Sequence, residues 1–310
     1  MPPDNVIPDI WFPNLRIYFE NVPRVLFSPF GIDIYIYAVL IVLGIISAYF
    51  LGIWYAHKTG QKVDDYTDLL MLGIPMAVVG LRLYYLIFNW DIYRGQPISQ
   101  LFNLRGGGLA IYGGIIGAIL AGIIMSYVKK IPFTRFADTA APSLLLGQVI
   151  GRFGNFFNRE AFGGYTDGLF AMRIRLDQVH QAQGVVTEAL HETAVTLQGV
   201  QYIQVHPTFL YEAFFNFILM IALIVYRPYK RFEGEVILLY LFGYGIIRFF
   251  VEGLRTDQLM LFNTGWPASQ FVSVVFAVLS LILIIIGHTH AARVPVEADK
   301  PTYARRRRKK

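Results

Sequence analysis

An arginine and several amide side chains stand at the end of an apolar stretch near the middle of this 310-residue chain. Residues 151–160 read GRFGNFFNRE, and the three-residue spacing of Arg152 and Asn155 puts both on one face of a helix. A charge within a stretch long enough to cross a membrane is energetically costly, so it usually serves a polar substrate or an ion. The structural alternative is an arginine that reaches the lipid headgroups beside asparagines that cap a helix. This run alone leaves both interpretations open.

A second polar pattern lies in a later apolar stretch. Tyr244, Arg248 and Glu252 follow one another at intervals of four residues, which places them along one stripe of a helix. The stretch before it opens with further polar groups, namely His206, Tyr211 and Glu212. Arg248 and Glu252 could form an ion pair that serves only their own helix. However, a bound anion would account for several costly residues at once, and the planar donors of arginine suit a phosphate group.

The composition indicates a membrane protein. Hydrophobic residues make up 55% of the chain and charged residues 15%, whereas a soluble domain carries roughly 25% charged residues. The chain has no cysteine, which excludes disulfides, a cysteine nucleophile and thiolate metal sites. The apolar stretches also lack a histidine pair or an aspartate cluster, so we expect neither a metal nor another cofactor.

Seven stretches are long enough to cross about 30 Å of hydrocarbon as helices. Their approximate bounds are Ile34–Tyr55, Tyr66–Asn89, Gly107–Val128, Phe136–Asn158, Pro207–Tyr226, Val236–Leu254 and Pro267–Gly287. The sequence therefore predicts an all-α integral membrane protein, a bundle of seven transmembrane helices.

The distribution of lysine and arginine predicts the orientation of this bundle. The short connections 56–65, 129–135 and 227–235 hold two, three and three of these residues, and the C-terminal tail holds eight. The opposite connections are poorer for their length, with three in 159–206 and one in 255–266. Because basic loops remain in the cytoplasm, we expect the N-terminus outside and the C-terminus inside.

The distribution of apolar, aromatic and charged residues divides the chain into three parts. Residues 1–33 are aromatic and charged, and we expect them to form an interfacial arm. Residues 34–287 form the transmembrane domain, with the polar segment 159–206 inserted as a small extracytoplasmic cap. Within that segment, the alternation over Phe170–Leu176 predicts a strand and Thr187–Leu197 a short helix. Residues 288–310 form a basic tail that we expect to bind anionic lipid rather than nucleic acid.

Four blocks in order resemble the prolipoprotein diacylglyceryl transferase family of the bacterial plasma membrane. They are GGGLAIYGG (106–114), GRFGNFFNREAFGG (151–164), HPTFLYE (206–212) and YGIIRFFVEGLRTD (244–257). Tyr37 falls where the family has a tyrosine and Arg82 where it tends to have an arginine. The resemblance covers most of residues 30–285, and four ordered motifs are far more specific than one.

The resemblance implies a reaction at the outer leaflet. The diacylglyceryl group of phosphatidylglycerol would pass to the thiol of the lipobox cysteine in a prolipoprotein signal peptide, a thioether would form, and glycerol phosphate would leave. The lack of cysteine agrees with this, because the thiol then comes from the substrate.

The resemblance also implies roles for the polar residues. The expected phosphatidylglycerol-binding residues are Arg152, Asn155, Asn158, Glu160, Gly154 and Arg255. The expected catalytic residues are Arg248, Glu252, Tyr112, Tyr244 and Tyr37. Arg248 and Glu252 would surround the reacting phosphate and thiol. Glu160 and Asn158 would order the arginines.

Tyr112 departs from the pattern, because many family members have a histidine at that position. A tyrosine with its ordinary pKa near 10 is a poor general base at neutral pH. Three options stay open: Tyr112 hydrogen-bonds the lipid, a nearby arginine lowers its pKa, or another group such as Glu252 takes the thiol proton. We favour the first option, which leaves the base unassigned.

A different class of function also fits a charged stripe in a membrane, namely a seven-span transporter or channel. An ion path should place polar groups across the whole depth of the bilayer, whereas these favour the outer half. The sequence therefore favours the transferase over the transporter.

Overall fold

Each of the seven predicted stretches forms a helix of 19 or more residues in the part of the chain that the computed structural model describes, residues 6–103, 107–179, 185–261 and 264–291. These long helices are α1 (Ile36–Lys58), α2 (Val63–Phe88), α5 (Ile111–Lys129), α6 (Phe133–Asn158), α8 (Thr208–Tyr226), α9 (Glu235–Leu254) and α10 (Ala268–Ala291). The described residues also contain the short helices α3 (Trp90–Tyr93), α4 (Ile98–Leu101) and α7 (Glu188–Glu192). The C-terminal basic run 292–310 lies outside the described residues.

Six of these long helices are apolar and long enough to cross a membrane, counted over the described residues. The exception is α6, which carries Arg135, Asp138, Gln148 and Arg152 along its length. The structure is that of a mostly helical integral membrane protein. The description as all-α is too narrow, however, because the described residues also contain seven strands.

Five of the strands form one antiparallel sheet in the order β2-β1-β5-β7-β6. The strands are β1 (Ile10–Phe12), β2 (Ile17–Phe19), β5 (Met172–Arg175), β6 (Val195–Leu197) and β7 (Val200–Val205). Strands β3 (Val25–Phe27) and β4 (Ile34–Tyr35) form a separate pair. Because β1 pairs with β5, the N-terminal arm shares backbone hydrogen bonds with the cap segment 159–206.

The alternating sequence of β5 explains its place in the sheet. Met172 and Ile174 are buried, whereas the two arginines between and after them are partly exposed, as period-two alternation predicts. The predicted strand is thereby confirmed. The predicted helix Thr187–Leu197 is too long, because α7 ends at Glu192 and Val195–Leu197 forms β6. Two consecutive residues with positive φ, Gln198 and Gly199, make the tight turn into β7.

The chain divides into two compact units. Of the described residues, the first unit comprises those up to Ala48 and those from Ala141 onward, and the second comprises those in Tyr49–Ala140. In the first unit, apolar side chains from the sheet and from the adjoining segments form a buried core that includes Phe209 at the start of α8. Its most buried members are Ile10, Phe162, Ile174, Leu190, Ile203 and Val205.

In the second unit, glycines bring α2 and α5 into backbone contact. A Cβ atom at Gly80 would lie 2.2 Å from the carbonyl oxygen of Gly113, and one at Gly117 would lie 2.2 Å from that of Met76. No side chain can occupy such a space, so the glycines determine how closely these two helices approach.

Arg82 of α2 holds the connection between α4 and α5. Its guanidinium donates to the carbonyl oxygens of Gln100 and Leu101 at 2.6 and 2.8 Å, and to those of Gly107 and Gly108 at 3.0 and 2.9 Å. Gly108 has φ of 69°, and a Cβ atom there would lie 2.6 Å from the Arg82 Nη1 atom. The glycine block therefore lets the backbone approach the buried arginine.

Candidate functional site

Two arginines from different helices share one buried carboxylate in the first unit. Arg152 Nη2 of α6 lies 2.6 Å from Glu212 Oε1 of α8, and Arg248 Nη1 of α9 lies 3.2 Å from Glu212 Oε2. The Tyr244 hydroxyl also donates to Glu212 Oε1, at 3.3 Å. The Glu212 side chain is 1% exposed, whereas the two arginine side chains are 21% and 17% exposed. The buried carboxylate fixes both arginines, and each arginine side chain stays partly exposed.

A second carboxylate extends this charged cluster along α9. Arg248 Nη2 lies 2.6 Å from Glu252 Oε2, one helical turn further along. Arg255 follows the helix end, with its Nε atom 4.0 Å from the same oxygen. The guanidinium of Arg255 forms a bidentate pair with Asp257 at 2.8 and 2.7 Å. The predicted stripe of Tyr244, Arg248 and Glu252 therefore lies on one face, where it joins Arg152 through Glu212.

The pKa of Asp257 reflects its pairing with Arg255. Burial raises the pKa of the Asp257 carboxyl, but the hydrogen bonds and charge of Arg255 outweigh burial and hold that pKa below its ordinary value. Asp257 is therefore ionised at neutral pH and offsets the charge of Arg255.

A separate group of amides and one carboxylate forms at the end of α6. Asn155 Nδ2 and Asn158 Nδ2 donate to the same oxygen of Glu160, Oε1, at 2.9 and 3.2 Å. These three residues thus position one another. Each asparagine keeps its side-chain oxygen as an acceptor and a second N–H as a donor.

Tyr37 of α1 lies beside this group. A Cβ atom at Gly154 would be 2.5 Å from Tyr37 Cδ2, so the glycine makes room for the aromatic ring. The charges of Glu160 and Arg152 both act on Tyr37. The tyrosine predicted for the site from the first span is therefore near the signature.

The structure places Tyr112 in the second unit, at the start of α5. Its ring lies 6.3 Å from that of Tyr84, and 39% of the residue is exposed. Arg82 belongs to the same unit, and Arg105 and Gly106 of the third-span block lie outside the described residues. The role predicted for Tyr112 remains a prediction.

The cap contacts the end of α9 through backbone hydrogen bonds. The N–H of Gly164 donates to the carbonyl oxygen of Leu254 at 3.0 Å, and the N–H of Thr256 donates to that of Phe162 at 3.3 Å. Gly163 pairs with His206, whose N–H donates to Gly164 at 3.0 Å. Burial lowers the pKa of His206, so the imidazole is neutral at pH 7. These bonds keep the signature's last residues beside Arg255.

Glu212 is among the polar groups noted in the sequence, but the sequence predicted no role for it in the site and did not point to Gln148 or Tyr240. Gln148 Nε2 donates to the Tyr240 hydroxyl at 2.9 Å, and the Tyr240 ring stacks on that of Tyr244 at 5.7 Å. The requirement that buried arginines need a compensating carboxylate was the available signal for Glu212. Spacing on a single helix could not identify it, because the partners come from three helices.

The arrangement suits an anionic headgroup. Guanidinium donors fixed from one side by carboxylates can bind phosphate oxygens on the other side. Within the described ranges, no group of three or more histidine, aspartate or glutamate residues has the arrangement of a metal site.

Comparison with known proteins gives a consistent result. A model of the family described as prolipoprotein diacylglyceryl transferase matches residues 24–286. A phosphatidylglycerol–prolipoprotein diacylglyceryl transferase of Clostridioides difficile (strain 630) is 42% identical over 238 residues, which cover 77% of this chain and 85% of that protein. Proteins of the same name from Bacillus cereus (strain G9842) and Bacillus anthracis (strain A0248) are each 40% identical over 257 residues, 82% of this chain and 87% of each relative.

Proposed function

The chain belongs to the prolipoprotein diacylglyceryl transferase family, and from this premise we propose that it moves the diacylglyceryl group of phosphatidylglycerol to a lipobox cysteine of a prolipoprotein. The observation that supports this most directly is the pair of arginines, Arg152 and Arg248, bound to the opposite oxygens of Glu212. Two guanidinium groups fixed in this way can bind the same phosphodiester group. A transporter finds no support in the family match.

The first step is binding of the lipid headgroup. Arg152 and Arg248 bind the phosphate oxygens with the N–H groups that Glu212 does not occupy. Asn155 and Asn158, held by Glu160, bind the hydroxyls of the glycerol headgroup. Gly154 lets Tyr37 approach this group, and Arg255, 4.0 Å from Glu252, adds a further cation for the headgroup.

The second step is displacement at carbon. The cysteine sulfur attacks the diacylglyceryl carbon that carries the phosphate, a C–S bond forms, and the C–O bond to the phosphate breaks. The bonding electrons leave with glycerol phosphate, which gains one negative charge, and the thiol proton is released to a base. The arginines favour this step because the charge on the phosphate grows as the bond breaks. Glu252 orients Arg248, and Tyr244 orients Glu212.

The same proposal includes the topology. Seven helices cross the bacterial plasma membrane, namely the six apolar helices and the more polar α6. The N-terminus lies outside and the C-terminus in the cytoplasm, as the excess of basic residues in alternate connections indicates. The charged cluster lies toward the outer leaflet, and the basic run in 305–310 binds anionic lipid at the inner surface.

Substitution of Arg152 by alanine tests the function. Vesicles holding the protein receive labelled phosphatidylglycerol and a lipobox peptide, and thioether formation is measured. We expect Arg152→Ala to reduce transfer by at least about a hundredfold, the scale for one lost electrostatic donor. The control is Arg94→Ala, since Arg94 is exposed at the end of a short helix. Full transfer by correctly inserted Arg152→Ala would contradict the proposal, as would equal loss in the control.

A further inference from the structure

The N-terminal arm contacts the turn after α6 through a residue that precedes the family match. The match begins at residue 24, and Asp9 stands just before β1, 8% exposed. Asp9 Oδ2 accepts from the backbone N–H of Val22 at 2.8 Å and from Arg159 Nη2 at 3.1 Å. Asp9 Oδ1 accepts from Gln178 Nε2 at 2.9 Å, and Arg175 Nη1 lies 3.6 Å away. One carboxylate therefore joins the arm, the cap and the end of α6.

The backbone of the turn has an unusual conformation. Helix α6 ends at Asn158, and Arg159 has φ of 55°, in the left-handed region. The N–H of Arg159 donates to the carbonyl oxygen of Phe156 at 3.2 Å, and that of Glu160 to the carbonyl oxygen of Asn155 at 3.1 Å. This is the Schellman pattern of helix termination, in which glycine is favoured at the left-handed position. Here an arginine occupies it.

The arginine side chain supplies the interactions that a glycine lacks. Besides Asp9, it donates to the carbonyl oxygen of Val22 at 2.6 Å and to that of Phe157 at 3.1 Å. The Arg159 side chain is 3% exposed. A buried ion pair with these additional hydrogen bonds restricts the turn far more than a surface pair would.

We propose that Asp9 is a positioning residue for phosphatidylglycerol binding, acting through Arg159. This inference rests on the proposed function. Arg159 lies between Asn158 and Glu160, so the Asp9–Arg159 pair fixes the backbone from which both side chains project. When that anchor is lost, the shared acceptor Glu160 Oε1 shifts and the amides of Asn155 and Asn158 lose their orientation. Arg248 lies on α9, and Arg152 lies six residues before the end of α6; both are held by Glu212 and keep their places.

The test measures KM for phosphatidylglycerol and kcat separately. We expect Asp9→Asn to raise KM about tenfold, the effect of one charge-assisted hydrogen bond, with kcat changed less than about threefold. The control is Asp177→Asn, which breaks a 2.7 Å pair with Arg175 whose carboxylate is 59% exposed in the same cap. Arg159→Gly is the second variant, because glycine accepts the left-handed backbone and still removes the anchor.

Hydrogen exchange gives a reading that does not depend on transfer. We expect the backbone amides of residues 159–161 to exchange faster in Asp9→Asn and in Arg159→Gly than in wild type or Asp177→Asn. If Asp9→Asn does not fold, the KM and the amide exchange of Arg159→Gly test the inference.

Two failures are distinguishable. Wild-type protein without transfer would defeat the proposed function, whatever the exchange rates. Normal wild-type transfer with an unchanged KM in the folded anchor variants would defeat this inference alone. A loss of kcat at constant KM, or an equal rise of KM in Asp177→Asn, would also overturn it.

Discussion

At the scale of single residues, the site depends on how buried charges are compensated. Glu212 compensates two of these charges, because it binds guanidinium groups from α6 and α9. It also accepts a hydrogen bond from Tyr244. A buried carboxylate with three partners is costly to remove, since it leaves cations without compensation. Its position also determines which N–H groups of the arginines stay available. Glu212 is therefore as important to the site as the arginines that stand out in the sequence.

Glu212→Gln tests this at the residue scale. The amide retains the size of the side chain but removes the charge and one acceptor, so Arg152 and Arg248 lose their common position. We expect transfer to fall by about a hundredfold or more. Glu188→Gln, at an exposed position in the first turn of α7, is the matched control. Transfer by Glu212→Gln within a few fold of wild type would show that the shared carboxylate is dispensable.

At the scale of elements, glycines determine helix contacts in a way that side-chain periodicity does not reveal. In α2 the two glycines Gly73 and Gly80 are seven residues apart and face different surroundings. A Cβ atom at Gly80 would meet the backbone of Gly113 at 2.2 Å, whereas one at Gly73 would meet nothing within 4 Å. The backbone of α5 cannot move aside as a flexible side chain could. The same substitution at these two positions should therefore have opposite effects.

Gly80→Ala is expected to destabilise the protein by roughly 1–3 kcal/mol, because α2 and α5 must separate to admit the methyl group. Gly73→Ala should be neutral or stabilising by roughly 0.5–1 kcal/mol, as expected for alanine in place of glycine within a helix. Thermal unfolding of both variants in detergent measures the difference. Equal melting temperatures would mean that the close approach of the two helices contributes little to stability.

At the scale of the whole molecule, acid weakens the protein through two ionised carboxyls, Asp177 in the cap and Asp257 after the end of α9. Hydrogen bonds from Arg175 hold the pKa of Asp177 below its ordinary value. For Asp257, burial raises the pKa, but the bidentate Arg255 outweighs it and lowers the pKa. A carboxyl whose pKa is lower in the folded state stabilises the protein above its unfolded pKa, here 3.8. That contribution disappears as the pH falls through the folded pKa.

Melting temperatures between pH 6 and pH 3 check this dependence. We expect the wild type to lose stability below about pH 4, and the variant Asp177→Asn/Asp257→Asn to lose less over the same interval. Above pH 5 the wild type should be the more stable of the two. Parallel curves over the whole interval would show that these pairs do not couple folding to pH.

The sequence by itself determined the helices, their polar stripes and the family. Apolar length and hydrogen bonding along the chain are local properties, so all seven stretches became helices close to their expected bounds. The i, i+4 spacing of Tyr244, Arg248 and Glu252 likewise needs only one helix. The strand Met172–Arg175 was predictable for the same reason, because its alternation is local.

Only the tertiary structure decided which groups meet. Glu212 joins Arg152 to Arg248 across three helices, and Asp9 reaches Arg159 across 150 positions. The sheet that unites the N-terminal arm with the cap pairs strands that are more than 150 residues apart. Such contacts depend on how separate elements pack, and spacing along one element carries no information about that. The low dielectric of the interior then makes these distant pairs the ones that matter most, because a buried charge without its partner is costly.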